Sequence, residues 1–152
     1  MVHKRKIAVS IIGIILMVGI IFAAYLFYQS SPENVIKSRL NLSLPASAEI
    51  INYQYDSNGR YFDAKILIEE QSINDIKKQL DNYFGGVTSE ENMKHMPSFK
   101  NSASWWDMDN DNIVAAYMNF VDVKMWFNLV PHEVWVFISK DKEDKYYLYI
   151  SY

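Results

Sequence analysis

The sequence predicts an α+β chain: an N-terminal transmembrane helix, then an antiparallel β-sheet with one or two helices packed on one face, in the order α-β-β-α-β-β-β-β. Three observations predict it. Ile7 to Tyr28 is an apolar run of 22 residues without a charged side chain. Apolar and polar residues alternate on both sides of Asn58-Gly59. Ile73, Ile76, Leu80 and Phe84 recur at helical spacing.

At about 1.5 Å of rise per residue the first run spans roughly 33 Å, enough to cross a bilayer core of about 30 Å. Lys4, Arg5 and Lys6 lie only on its N-terminal side. The positive-inside rule therefore predicts a cytoplasmic tail over residues 1–6, a single span over 7–28, and the remainder outside the cell. The rival reading is a cleaved export signal. Its h-region would be shorter, about 7–15 residues, and would end at a small-x-small site. Cleavage after Ala24 or Ser30 would place Phe22 or Tyr28 at the −3 position, and both are too bulky. The segment therefore reads as an uncleaved signal anchor, and the lack of cysteine excludes lipoprotein processing. Tyr25 and Tyr28 suit the aromatic belt of the outer interface.

Beyond the anchor, 12 basic residues face 18 acidic ones, a net of −6. Such a domain does not suit a nucleic acid, whose phosphates need clustered Lys and Arg. It is also unsuited to lying flat on anionic headgroups. With no cysteine, stability must come from packing. Eleven Tyr and four Trp are too many aromatics for a disordered stalk.

Ser31-Pro32-Glu33 reads as an N-cap, a first-turn proline and an acidic first turn. The short helix it opens runs to about Leu40, and residues 29–48 form a juxtamembrane helix and connection. The folded exterior domain then covers 49–152. Ile51, Tyr53 and Tyr55 share one face of the first strand, with Asn52, Gln54 and Asp56 opposite. Asn58-Gly59 turns the chain, and Phe62, Ala64, Ile66 and Ile68 return against outward Asp63, Lys65 and Glu69. The expectation is a hairpin with one wet face. Ser72 caps the amphipathic helix that follows, and Gly85-Gly86 stops it. Val87 to Lys100 is irregular, a surface connection or a functional loop. Ala103–Met108, Ile113–Val123, His132–Ser139 and Lys145–Ser151 read as four further strands, with Val134 to Ile138 apolar on both faces.

The stretch Leu44-Pro45-Ala46-Ser47-Ala48-Glu49-Ile50, set between a short helix and a Gly-turn hairpin, resembles a module of uncharacterised membrane-anchored or lipoprotein-type extracytoplasmic proteins of Gram-positive bacteria. The resemblance covers about Asn34 to Phe84. It implies a strand-strand-helix arrangement and an exterior location. The lipoproteins carry a Cys at the membrane end, where this chain has a helix, and the Trp-rich C-terminal third lies outside the resemblance.

Two constellations stand out. Asp107, Asp109 and Asp111 alternate as calcium-loop carboxylates do, which makes calcium the one candidate cofactor. Asn112 and Met118 stand where an EF-hand needs Gly and Glu, so an acidic turn is the plainer account. Trp105, Trp106, Trp126 and Phe127 form the candidate partner-binding set, either an exposed aromatic surface or part of a two-sided core. Neighbouring Trp105 and Trp106 would point to opposite faces of a strand. No nucleophile elbow, S-x-x-K or H-E-x-x-H motif is present. The expected function is a non-catalytic, membrane-anchored interaction domain that binds a protein partner at the membrane surface, as an immunity-type protein or accessory subunit would. The alternatives are a cell-wall glycan or small-ligand binder and a weak calcium-responsive sensor.

Overall fold

The computed structural model describes residues 2–29, 31–55, 61–88, 103–108, 110–125 and 128–152. Helix α1 (Val2–Gln29) is joined almost directly to α2 (Pro32–Leu40). Ser31 N donates to Tyr28 O at 3.3 Å, and Asn34 Nδ2 donates to the same carbonyl at 2.6 Å. These bonds satisfy a carbonyl that the end of α1 would otherwise leave open. Ser31 has extended backbone and its Oγ accepts from Asn34 N at 3.4 Å, so the Ser-Pro start works as the sequence predicts. Asn41, in the left-handed region at φ 50°, ends α2.

Among the described residues no helix is long and apolar enough to cross a membrane. Along α1 the described side chains are those of 13–25 and 28, a shorter stretch than a span requires. All of them are exposed.

Five antiparallel strands follow: β1 (Glu49–Tyr55), β2 (Phe62–Ile68), β3 (Ile113–Met125), β4 (Asn128–Lys140) and β5 (Tyr146–Ser151). Their order is β1-β2-β5-β4-β3. The last strand thus enters the middle of the sheet and joins the N-terminal hairpin to the long β3–β4 pair. Helix α3 (Ile73–Phe84) lies between β2 and β3 in the chain. A 3₁₀ turn over Glu70–Ser72 leads into it, and Ser72 makes no side-chain cap bond, contrary to the capping expected from sequence. Gly85 closes α3 at φ 79°, its N–H bonded to Asp81 O at 2.8 Å.

Helices α2 and α3 cover the same face of the sheet. Val35, Ile36 and Leu40 of α2 and Ile73, Ile76 and Leu80 of α3 pack with Phe62, Ala64, Ile66, Val134, Val136, Ile138, Leu148 and Ile150. Tyr117 of β3 is fully buried there, its ring 5.8 Å from that of Phe84.

Three further expectations change. A bulge between Ile50 and Asn52 shifts the register of β1, so Ile50 pairs with Ile66 and packs on the core while Ile51 is exposed. The hairpin's second face is not wet: Asp63 and Lys65 are buried. Ala103–Met108 is not a strand but a turn-containing segment, with Trp106 N bonded to Ala103 O at 3.0 Å. The sheet therefore has five strands where the sequence predicts six. The Asn58-Gly59 turn and residues 89–102 of the irregular stretch lie outside the described residues.

Strand β5 pairs with β4 only from Trp135 to Lys140, whereas β3 follows β4 out to the Met125–Asn128 pair. Residues 119–125 and 128–134 therefore run on as a two-stranded arm, about 20 Å at the usual strand rise. Pro131, which cannot donate to a ladder, sits on this arm opposite Asp122.

Candidate functional site

The face of the sheet away from the helices carries the most chemistry. Alternation along β2 points Lys65 to this side, and in register beside it stands Tyr149 of β5. Lys65 is 9% exposed. An ammonium so placed needs a partner, because burying an unpaired charge is costly. Asp107, from the 103–108 segment, supplies it: Lys65 Nζ lies 2.6 Å from Oδ1 and 2.8 Å from Oδ2. The Tyr149 hydroxyl donates to Oδ1 at 2.7 Å. The ammonium also sits 4.6 Å from the Tyr147 ring centroid and 5.6 Å from that of Tyr149, within cation–π range.

Burial works against ionisation of Asp107. The hydrogen bonds from Lys65 and Tyr149 and the nearby ammonium outweigh it and hold the carboxyl below its ordinary range. The same arrangement raises the Tyr149 phenol, first through burial and then through its bond to the carboxylate. Beside the cluster lies a cavity of about 120 Å³, lined also by Ser139, Asp141 and Tyr147. It is small, with room for waters or a simple ion but not a typical organic ligand.

The clamp holds down an aromatic cover. Trp106 packs 5.2 Å from Tyr149 and belongs with Ala116, Trp135, Phe137 and Tyr149 to a second buried cluster. Trp135 and Phe137 stack at 5.5 Å with nearly parallel rings. Trp105 is half-buried, 6.0 Å from Trp106, and packs on the same cluster. The two tryptophans thus share a side of the sheet instead of facing opposite ways, because the backbone between them is a turn and not a strand.

Of the proposed partner-binding set, Trp106 is placed in a core and Trp105 at its margin. Trp126 and Phe127 lie outside the described residues, between the paired ends Met125 and Asn128 of the arm. Of the aspartates, Asp107 is engaged by Lys65, Asp109 lies outside the described residues, and Asp111 is exposed in a 3₁₀ turn over Asn110–Asn112. Among the described residues no group of three or more His, Asp or Glu side chains comes together to hold a metal.

Nothing in the sequence pattern marks Lys65, Tyr147 or Tyr149. A lysine in the outward register of a strand has the same signature whether water or another segment covers it. Phe120, 61% exposed at the base of the arm, was likewise hidden inside a strand pattern. No protein-family model, curated protein or solved structure matches the chain.

Proposed function

We propose that the chain is a single-pass membrane protein whose exterior α+β domain binds a protein partner at the membrane surface without catalysing a reaction, in the manner of an immunity-type protein or an accessory subunit. The observation that carries the membrane part is the exposure of Ile14, Leu16, Ile20 and Phe22, together with their neighbours on every side of α1. A helix apolar all round is at home in lipid or against other helices, not in water. The 22-residue apolar run of the sequence falls within the helical range of α1, and the basic residues precede it.

The β3–β4 arm supports the interaction part. It extends past the rest of the sheet, presents Phe120 to solvent, and carries Trp126-Phe127 between its paired ends. Aromatic side chains dominate protein interfaces because each buries a large area at small entropic cost. The assigned contact set is accordingly Phe120, Trp126 and Phe127, with Trp105 at a second site. Trp106 serves to hold the fold.

Two measurements test this reading on the full-length chain. Alkaline carbonate extraction should leave the chain in the membrane pellet, and protease added from outside should remove the domain. A photo-crosslinking residue at position 120 should then trap one defined protein in intact membranes, and Trp126→Ala should abolish that adduct. Release by carbonate would overturn the membrane assignment, and an adduct pattern unaffected by Trp126→Ala would overturn the arm as contact surface.

A further inference from the structure

An open cavity of about 440 Å³ lies where α1 ends, between α2 and the end of β1. We propose that it binds a phosphate-bearing anion, and that the source is the headgroup of an anionic phospholipid in the outer leaflet. Lys37 and Arg39 both line it, with Asn34, Tyr28 and Tyr55, and among its described lining residues there is no carboxylate. Among the described residues neither cation forms an ion pair with an acidic side chain. Two cations lining one cavity whose described lining carries no acidic side chain give it a positive potential that suits an anion.

Arg39 is held ready for such a ligand. Its guanidinium lies 4.5 Å from the centroid of the Tyr152 ring, and its carbonyl accepts the Tyr83 hydroxyl at 2.8 Å. Tyr152 is itself fixed, exchanging backbone bonds of 2.9 and 3.0 Å with Phe62 and stacking on His132 at 5.8 Å. Contact with an aromatic face occupies the plane of the guanidinium and leaves its edge N–H groups for an acceptor. Phosphate matches that planar fork, and a lysine beside it adds a point charge. Asn34 gives one amide proton to Tyr28 O and retains the other. Ser38 gives its one hydroxyl proton to Val35 O at 3.1 Å. Glu33 lies on the neighbouring groove, which Lys37 also borders, and not in this cavity.

The net negative charge of the domain does not oppose this. Exposed charges are screened beyond about 10 Å, so the local pair of cations governs the cavity. The lipid source rests on the membrane reading above, since Tyr28 ends the helix proposed to cross the bilayer and the cavity would open at headgroup height. The phosphate chemistry itself does not depend on that reading.

The test uses the full-length chain in a neutral detergent, with phosphatidylglycerol, phosphatidylcholine or inorganic phosphate added at matched phosphate concentration. Phosphatidylglycerol should raise the thermal midpoint by several degrees over phosphatidylcholine. Lys37→Gln, at an exposed position, should remove most of that rise, and Arg39→Gln should remove it entirely. Lys78→Gln on α3 should leave it unchanged. Should inorganic phosphate reproduce the rise in the same Lys37-dependent way, the anion site stands and the lipid source is overturned. A rise that survives Lys37→Gln, or no rise at all, overturns the site. A chain released by carbonate marks failure of the membrane reading. A chain retained in the pellet but without Lys37-dependent lipid preference marks failure of this inference alone.

Discussion

Lys65 and Asp107 stand 42 positions apart in the chain and meet through two contacts of 2.6 and 2.8 Å. Their side chains are not equally covered. That of Lys65 is 11% exposed and that of Asp107 is 64% exposed, so one charge has left water and the other has not.

The asymmetry predicts unequal costs of removal. Asp107→Ala leaves a covered ammonium without its direct carboxylate partner and should cost about 1–2 kcal/mol, below the value for a fully buried pair because water reaches the site and Asp141 lines the same cavity. Lys65→Met removes the charge while keeping the stem that packs on Tyr147 and Tyr149, and should cost less than 1 kcal/mol. Urea unfolding of the two variants side by side checks the order. Equal losses would place the pair among ordinary surface salt bridges.

Acid should loosen the second face in a defined window. The Asp107 carboxyl is held below its ordinary range in the folded state, so its contribution is complete above about pH 4 and is lost as the pH falls through the depressed folded value. Asp107→Asn should flatten that part of the acid limb of a stability–pH curve. At the alkaline end the sign reverses. Burial raises the phenol of Tyr149, and raises that of Tyr117 to about 12, with Asp81 adding to the latter. Their contribution is present below about pH 10 and declines as the unfolded chain gives up those protons first. Tyrosinate absorbance should show both groups silent at pH 10 to 11 in the folded protein and titrating once it is unfolded.

Trp106 and Trp105 are adjacent in sequence and different in role. Trp106→Ala removes a buried ring from the Tyr149 contact and should cost about 3–5 kcal/mol. Trp105→Ala should cost about 1 kcal/mol, the ordinary value for a half-buried side chain. Equilibrium unfolding distinguishes them. Similar values would mean that the 103–108 segment is not seated through Trp106.

The bulge in β1 makes an equally local forecast. Ile50→Asn puts an amide against the core and should cost about 1–3 kcal/mol, while Ile51→Asn should fall within about 0.5 kcal/mol of the parent. The reverse ranking would restore the uninterrupted alternation.

What the sequence determined by itself are the elements whose signals are contained within a few residues. Ser31-Pro32 starts α2, Gly85 ends α3, and the stripe of Ile73, Ile76 and Leu80 tells which side of α3 is buried. Each acts through backbone geometry or periodicity that needs no distant partner. The alternation of β5 and the two-sided apolar run of β4 were legible for the same reason. The tertiary structure alone decided the rest. That β5 enters between β2 and β4 depends on pairing energies across the whole chain. The bulge at Ile51 follows from the register of β1 on β2, and a one-residue shift leaves no mark in an alternating pattern. The covering of the second face was equally invisible, because Lys65 and Asp63 have the composition of a wet surface. Only the arrival of Trp106 and Asp107 from a distant segment makes Lys65 an interior residue with its own counter-charge.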